Sequence, residues 1–169
     1  YVDDKSSILV IPSDHIIKES ERFRAFIKKA YPFTKDYILT FGINPTYPET
    51  GYGYIKLGEL LGEDVYKIDK FVEKPSEELA KEYVSSKNYL WNSGMFFMGK
   101  EVLLKEFEKI DKTLYDIASI ESEDAFLKAK NISFDYAIME HTSLGACARL
   151  DIEWSDVGSW LAVYKELPK

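Results

Sequence analysis

Short apolar runs, each stopped by proline or glycine, alternate along this chain with stretches of helical period, and few folds accommodate that alternation. Ile8-Leu9-Val10-Ile11 is a partly β-branched run halted by Pro12, the form of a buried strand. Tyr37 to Ile43 repeats the pattern and ends at Asn44-Pro45. A strand starting near Tyr54, an extended segment from Val65 to Glu73, a run from Trp91 to Met98 interrupted at Ser93-Gly94, and Ser143 to Ile152 follow. Between them, Phe23, Phe26, Ile27 and Ala30 share one helical face behind Ser20 as a cap. Leu79, Ala80, Tyr83 and Val84 form the stripe of a second helix, capped by Ser76, with Glu77 and Glu78 placed to complement its dipole. Leu103, Leu104 and Phe107 point inward from a third, over 100–110. Phe134 to Glu140 and Ser159 to Leu167 read as further helices, and Asp116 to Lys130 as short helices and turns. The expected fold is one α/β domain, Rossmann-like, with a mixed, mostly parallel sheet and flanking helices. The first strand reads as parallel, with neighbours on both sides and helices on both faces. The chain enters it with no capping element, so the fold is expected to begin before residue 1.

The totals narrow the function. A 169-residue chain with 46% hydrophobic residues has material for a packed core. Its net charge of −7 and lack of a basic patch argue against nucleic acid as a partner. A phosphorylated small molecule stays open, because one or two placed cations, or a metal ion, suffice to hold it. The lone cysteine, Cys147, excludes an internal disulfide and, inside Ala146-Cys147-Ala148, reads as a core residue. No apolar run approaches the roughly 20 residues that cross a bilayer, and no signal peptide opens the chain, so a cytoplasmic protein is expected.

In open α/β sheets ligands bind beyond the carboxyl ends of strands, which directs attention to the residues there. Asp14 follows the first strand, in "IPSDH". Glu73 and Lys74 stand in "FVEKP", Asn92 in "WNSGMF", and Asp156 in "WSDVGSW". The turn "TGYGY" carries Gly51 and Gly53, which let backbone approach a ring closely. These types suit a phosphorylated sugar: Glu73 and Asn92 for hydroxyls, Lys74 as a point charge for phosphate, and the two aspartates with phosphate oxygens for Mg²⁺. Taken one at a time, each has a plainer reading as a cap, turn residue or surface pair. His15 and His141 have no zinc spacing, and Trp154 and Trp160 read as packing residues.

Together, "VIPSDH", "TFGINPTYPETGYGYI", "FVEKP", "WNSGMFFM", "SFDYAIME" and "WSDVGSW" resemble, in sequence and in order, the mannose-1-phosphate guanylyltransferases of the sugar-nucleotidyltransferase superfamily. The resemblance implies the nucleotide-diphospho-sugar transferase fold and a reaction in which GTP and α-D-mannose 1-phosphate give GDP-mannose and pyrophosphate. It implies Asp14 and Asp156 as Mg²⁺ ligands, with Lys74 beside them in catalysis. Tyr52, Gly53, Glu73, Lys74 and Asn92 are the implied substrate contacts, and Asp135 a candidate support of the pocket. On this reading Gly158 lets the turn after Asp156 close, and the two tryptophans wedge it. The family's glycine-rich N-terminal segment, which reads the nucleotide, and its C-terminal β-helical part have no counterpart in these residues. The chain is therefore expected to be a partial catalytic domain, inactive alone, completed by the missing N-terminal segment and possible as a homodimer. A relative for another hexose 1-phosphate and a non-catalytic sugar-phosphate-binding module are the alternatives. A mannose-6-phosphate isomerase would need a His/Glu metal cluster that two distant histidines do not supply.

Overall fold

The computed structural model describes residues 3–119, 127, 129–158, 160, 163 and 164. Its strands are β1 (Ser7–Val10), β2 (Ile16–Ile17), β3 (Ile38–Ile43), β4 (Tyr54–Gly62), β5 (Val65–Val72), β6 (Tyr89–Gly99), β7 (Gly145–Arg149) and β8 (Trp154–Ser155). The helices are α1 (Ser20–Ala30), α2 (Glu77–Ser86), α3 (Lys100–Ile110) and α4 (Lys112–Ser119), with a 3₁₀ turn at Tyr31–Lys35 and a π-helical turn at Asp135–Met139. Among the described residues no helix is long and apolar enough to cross a membrane.

Six strands form one mixed sheet in the order β1-β6-β3-β7-β5-β4. β1, β3, β4 and β7 run one way, β5 and β6 the other; β3–β7 is the one parallel pairing among the described strands, so the sheet is mixed as expected but mostly antiparallel in its pairings, not mostly parallel. β3 sits at the centre and is buried along its whole length. Leu39, Phe41 and Ile43 pack on one face with Ala30 of α1 and Ala80 and Tyr83 of α2. Ile38 packs on the other with Val102 of α3 and Ile138 and Met139 of the π turn. Helices thus flank both faces, as the sequence pattern implies.

The long β6 organises the rest. Its C-terminal half pairs with β1 on one edge, and the same edge, further back, pairs with β4 through Tyr54↔Trp91 and Ile55↔Leu90. β3 occupies the opposite edge. Because β4 also pairs with β5, β5 with β7, and β7 with β3, the strands close into a ring. Ile55, Leu90 and Cys147 cluster on one face of it, and burial pushes the Cys147 thiol up to about 12. Gly42 of β3 is a steric necessity here, since a Cβ would lie 2.5 Å from Leu90 Cδ1 and 2.6 Å from Cys147 Sγ.

Several expectations are corrected. β1 lies at the edge of the sheet, antiparallel to β6 as its one neighbour among the described residues, with Val10 and Ile11 exposed. An apolar run alone cannot tell an edge strand from a central one. β6 runs unbroken through Ser93-Gly94; the break is absorbed as a register shift opposite Thr40/Gly42, with Gly94 at φ +70°. The N-cap of α1 is Glu19, and Ser20 is already helical. Ser76 does cap α2, accepting from the Leu79 N–H at 3.4 Å, but the Leu79 side chain is 40% exposed. On α3 Leu103 and Phe107 pack partly buried against the core as expected, and the fully buried residues are Val102 and Glu106, the latter held by Thr142 and Lys109. The last strand is shorter than Ser143–Ile152. Of the helix expected over Ser159–Leu167 only 160, 163 and 164 are described, all three helical, and most of 120–128 lies outside the described residues.

Candidate active site

Asp14 and Asp156, far apart in sequence, are brought together by a two-stranded ladder. β2 and β8 pair antiparallel, Ile16 opposite Ser155 and Ile17 opposite Trp154, so His15 and Asp156 follow level with each other and Asp14 comes next. Both carboxylates act on the His15 ring: burial lowers its pKa, while Asp14 and Asp156 pull it back up. The ring is fixed by Trp154, whose Nε1 donates to His15 Nδ1 at 3.2 Å with the rings edge-on at 5.2 Å. Asp14 is exposed and Asp156 half-buried.

The turn after Asp156 differs from expectation in its parts. Val157, not Gly158, takes the left-handed backbone conformation, with φ 51°. For a β-branched residue that is a strained state costing about 1–3 kcal/mol, of a kind that clusters at functional sites. Gly158 serves close approach instead: its N–H donates to Asp156 Oδ1 at 3.2 Å, and a Cβ there would lie 2.6 Å from Oδ2. Trp154 packs as expected, whereas Trp160 is 88% exposed and wedges nothing.

From Trp154 a wall of rings runs inward. Tyr52 meets Trp154 at 5.6 Å and Trp91 at 5.3 Å, both edge-on, and Trp91 meets Tyr47 at 5.0 Å. The Asp156 carboxylate bears on the Tyr52 phenol electrostatically. Burial first, and that carboxylate second, raise the phenol's pKa, so it remains a protonated donor.

One residue along the turn lies a pocket of acids. Gly53 abuts Glu73 so closely that a Cβ would stand 2.6 Å from Glu73 Oε2 and 3.2 Å from Asn92 Cβ. The Asn92 N–H donates to Gly53 O at 2.8 Å. The Asn92 amide is held at both ends: Thr40 Oγ1 donates to its Oδ1 at 2.6 Å, and its Nδ2 donates to Asp135 Oδ1 at 2.7 Å. Glu73 has a side chain only 8% exposed, and its Oε2 is buried without a hydrogen-bond partner among the described residues. Burial, then the neighbouring Asp135, push its pKa up to about 7, against a smaller opposing pull from Lys74. Asp135 is also raised, chiefly by burial. Lys74 Nζ lies 3.7 Å from Glu73 Oε1 at the rim, 56% exposed, on a backbone with φ 46°.

The structure therefore gathers Asp14 and Asp156 in one group and Glu73, Lys74, Asn92 and Asp135 in another, with Tyr52 and Gly53 between them, and leaves Trp160 out of both. It adds three that sequence reasoning passed over. His15, held by Trp154, feels both aspartates, its only signal being its place beside Asp14 in "SDH". Thr40 is a buried hydroxyl inside an apolar strand, and Glu140 accepts from the Glu73 N–H at 3.3 Å. Chemically, a buried carboxyl whose Oε2 has no partner among the described residues, next to a fixed amide, suits the hydroxyls of a small polar ligand, because an orphaned buried polar atom costs free energy until something pairs with it. Two carboxylates without a third protein donor suit a hard divalent cation that keeps waters and takes phosphate oxygens. Among the described residues no group of three or more His, Cys, Asp or Glu could hold a metal alone.

The family comparison decides what fold-level kin this site has: residues 1–169 match the nucleotidyl transferase family throughout. The chain belongs to that family. It is 38% identical over 177 residues to a putative mannose-1-phosphate guanylyltransferase of Vibrio cholerae, covering 96% of this chain and 38% of that one. The mannose-1-phosphate guanylyltransferase of Escherichia coli K12 is likewise 38% identical, over 94% of this chain and 37% of its own length. The chain thus spans less than two fifths of these curated relatives. Among solved structures it resembles one named mannose-1-phosphate geranyltransferase from Thermus thermophilus, with a TM-score of 0.86 and 31% identity over 94% of this chain and 49% of that one. A structure named mannose-6-phosphate isomerase from Helicobacter pylori has a TM-score of 0.80 at 29% identity, over 91% and 65%. A UDP-glucose pyrophosphorylase bound to UDP-glucose shares the fold, with a TM-score of 0.52 at 16% identity, over 95% of this chain and 54% of that one.

Proposed function

We propose that the full-length protein is a mannose-1-phosphate guanylyltransferase, making GDP-mannose and pyrophosphate from GTP and α-D-mannose 1-phosphate. The observation that carries the reading is the convergence of Asp14 with Asp156, which the β2–β8 ladder imposes, one turn away from the Glu73–Asn92 pocket. The names of the similar chains supply the choice of guanylyl and mannosyl substrates. On this reading Glu73, Asn92 and the Gly53 backbone bind mannose hydroxyls, Tyr52 walls the pocket, and Asp135 and Thr40 hold the Asn92 amide in register. Lys74 neutralises the sugar phosphate; its left-handed backbone aims the side chain at the rim. Asp14 and Asp156 hold Mg²⁺, which when bound supplies charge neutralisation at phosphate oxygens. A mannose 1-phosphate oxygen attacks the α-phosphorus of GTP in line; the new P–O bond forms as the bond to the bridging oxygen breaks, and pyrophosphate carries away that electron pair. No protein nucleophile takes part. The chain's own contribution is positioning and electrostatics.

The test is product analysis of the full-length protein with mannose 1-phosphate and Mg²⁺ against GTP, ATP, dTTP and UTP in turn. GDP-mannose as the main product is expected. A better rate with another nucleotide, or with glucose 1-phosphate, overturns the assignment, and ligand binding without turnover on any of them points to a non-catalytic module.

A further inference from the structure

The acid pair and the carboxyl pocket are built on different elements, yet one dipeptide touches both. The Tyr52 ring packs edge-on against Trp154, two residues before Asp156, at 5.6 Å between centroids. Gly53, the next residue, accepts the Asn92 N–H and lies against the Glu73 carboxyl. β6 repeats the connection from its own side: Trp91 packs on Tyr52, while the next residue, Asn92, belongs to the carboxyl pocket. Successive side chains on a strand point to opposite faces, so 91–92 reaches both groups at once. The turn is braced from outside as well, Glu49 Oε1 accepting from the Gly51 N–H at 2.9 Å. A displacement of either group is therefore carried through Tyr52–Gly53 to the other.

Resting on the reading just proposed, we infer that Tyr52 is a positioning residue that couples the two halves, so that sugar phosphate held at Glu73 and Asn92 and a divalent cation held at Asp14 and Asp156 strengthen each other's binding. Sugar seated on Glu73 and Asn92 orders Gly53. Gly53 fixes the Tyr52 ring between Trp91 and Trp154, and the ring with its hydroxyl fixes Asp156. By linkage the effect is reciprocal. The ring contacts supply rigidity and the hydroxyl supplies direction, so truncation to phenylalanine removes only the second.

The experiment titrates Mn²⁺ into the full-length protein by electron paramagnetic resonance, with and without saturating mannose 1-phosphate. The wild type is expected to bind Mn²⁺ about fivefold or more tightly with the sugar phosphate present, within the usual range for coupled sites. Any direct contact between phosphate and ion survives in every variant. Tyr52→Ala should therefore reduce the coupling factor by about threefold or more, and Tyr52→Phe by less. Should the alanine variant fail to fold in a thermal melt, Tyr52→Leu keeps apolar bulk and is expected to behave like it. An identical coupling factor in wild type and variants overturns the inference. Equal Mn²⁺ affinity in the wild type and an Asp14→Asn/Asp156→Asn double variant instead overturns the metal reading beneath it.

Discussion

Glu73→Gln should make the protein more stable and a worse ligand binder, and the stability gain should depend on pH with a definite sign. In the folded protein the Glu73 carboxyl is pushed up to about 7, from an ordinary value near 4.5, because it is buried beside Asp135 with Oε2 lacking a partner among the described residues. Between those two values the native state keeps a proton that the unfolded chain has released, so wild-type stability falls as pH rises from about 4.5 to about 7. At roughly 1.4 kcal/mol per pH unit separating the two pKa values, the ceiling on that loss is roughly 3 kcal/mol. Oε1 reaches toward the exposed Lys74 ammonium at 3.7 Å, and screening there reduces the expected loss to roughly 1–2 kcal/mol. Glutamine has nearly the same shape and does not titrate. Its variant should melt about 2–8 °C above wild type at pH 8, and the gap should close near pH 5. Urea or thermal melts of both proteins at the two pH values read this directly. A gap of equal size at pH 5 and pH 8, or a variant less stable at pH 8, refutes the argument that Glu73 carries an uncompensated buried charge. Under the proposed function the same substitution should raise KM for the sugar phosphate, a trade of stability against function.

Asp156→Asn in the full-length protein should melt within about 1 kcal/mol of wild type yet lose about 100-fold or more in turnover; unchanged Mg²⁺-dependent activity removes the metal assignment. Gly53→Ala places a methyl 2.6 Å from Glu73 Oε2 without backbone strain, so KM for the sugar phosphate should rise about tenfold while kcat changes less; an unaltered KM excludes Gly53 from the pocket wall. Gly42→Ala, with no free space toward Leu90 and Cys147, should destabilise the fold by about 1–3 kcal/mol by chemical denaturation. Ser76→Ala should cost about 1 kcal/mol as α2 loses its cap, and no change in melting would mean the 3.4 Å contact contributes nothing.

Where local patterning is sufficient, residues alone place the elements. The helical stripes of α1, α2 and α3, the cap at Ser76, and the strands ending near Pro12, Asn44 and Pro75 follow from periodicity and turn chemistry, which act over a few residues. Asp14, Glu73, Lys74 and Asp156 become candidates through the carboxyl-end rule and, with Asn92, through six short phrases in a fixed order; Asn92 itself lies inside β6, near its start. Pairing partners are another matter, because a strand's sequence records how apolar its surroundings are but not which strand lies beside it. So β1 reads as central yet sits at the edge, and nothing in Leu90, Ile55 or Cys147 announces that β4 returns to β6. His15, Thr40 and Glu140 become part of the site only once β2 meets β8, β3 meets β6, and the π turn nears β5. Val157 carries the strained φ that a glycine next to it was expected to take, and Glu73 titrates near neutrality because Asp135, 62 positions away along the chain, shares its burial. Strain, desolvation and charge proximity are properties of neighbours in space, and long-range folding is what supplies the neighbours.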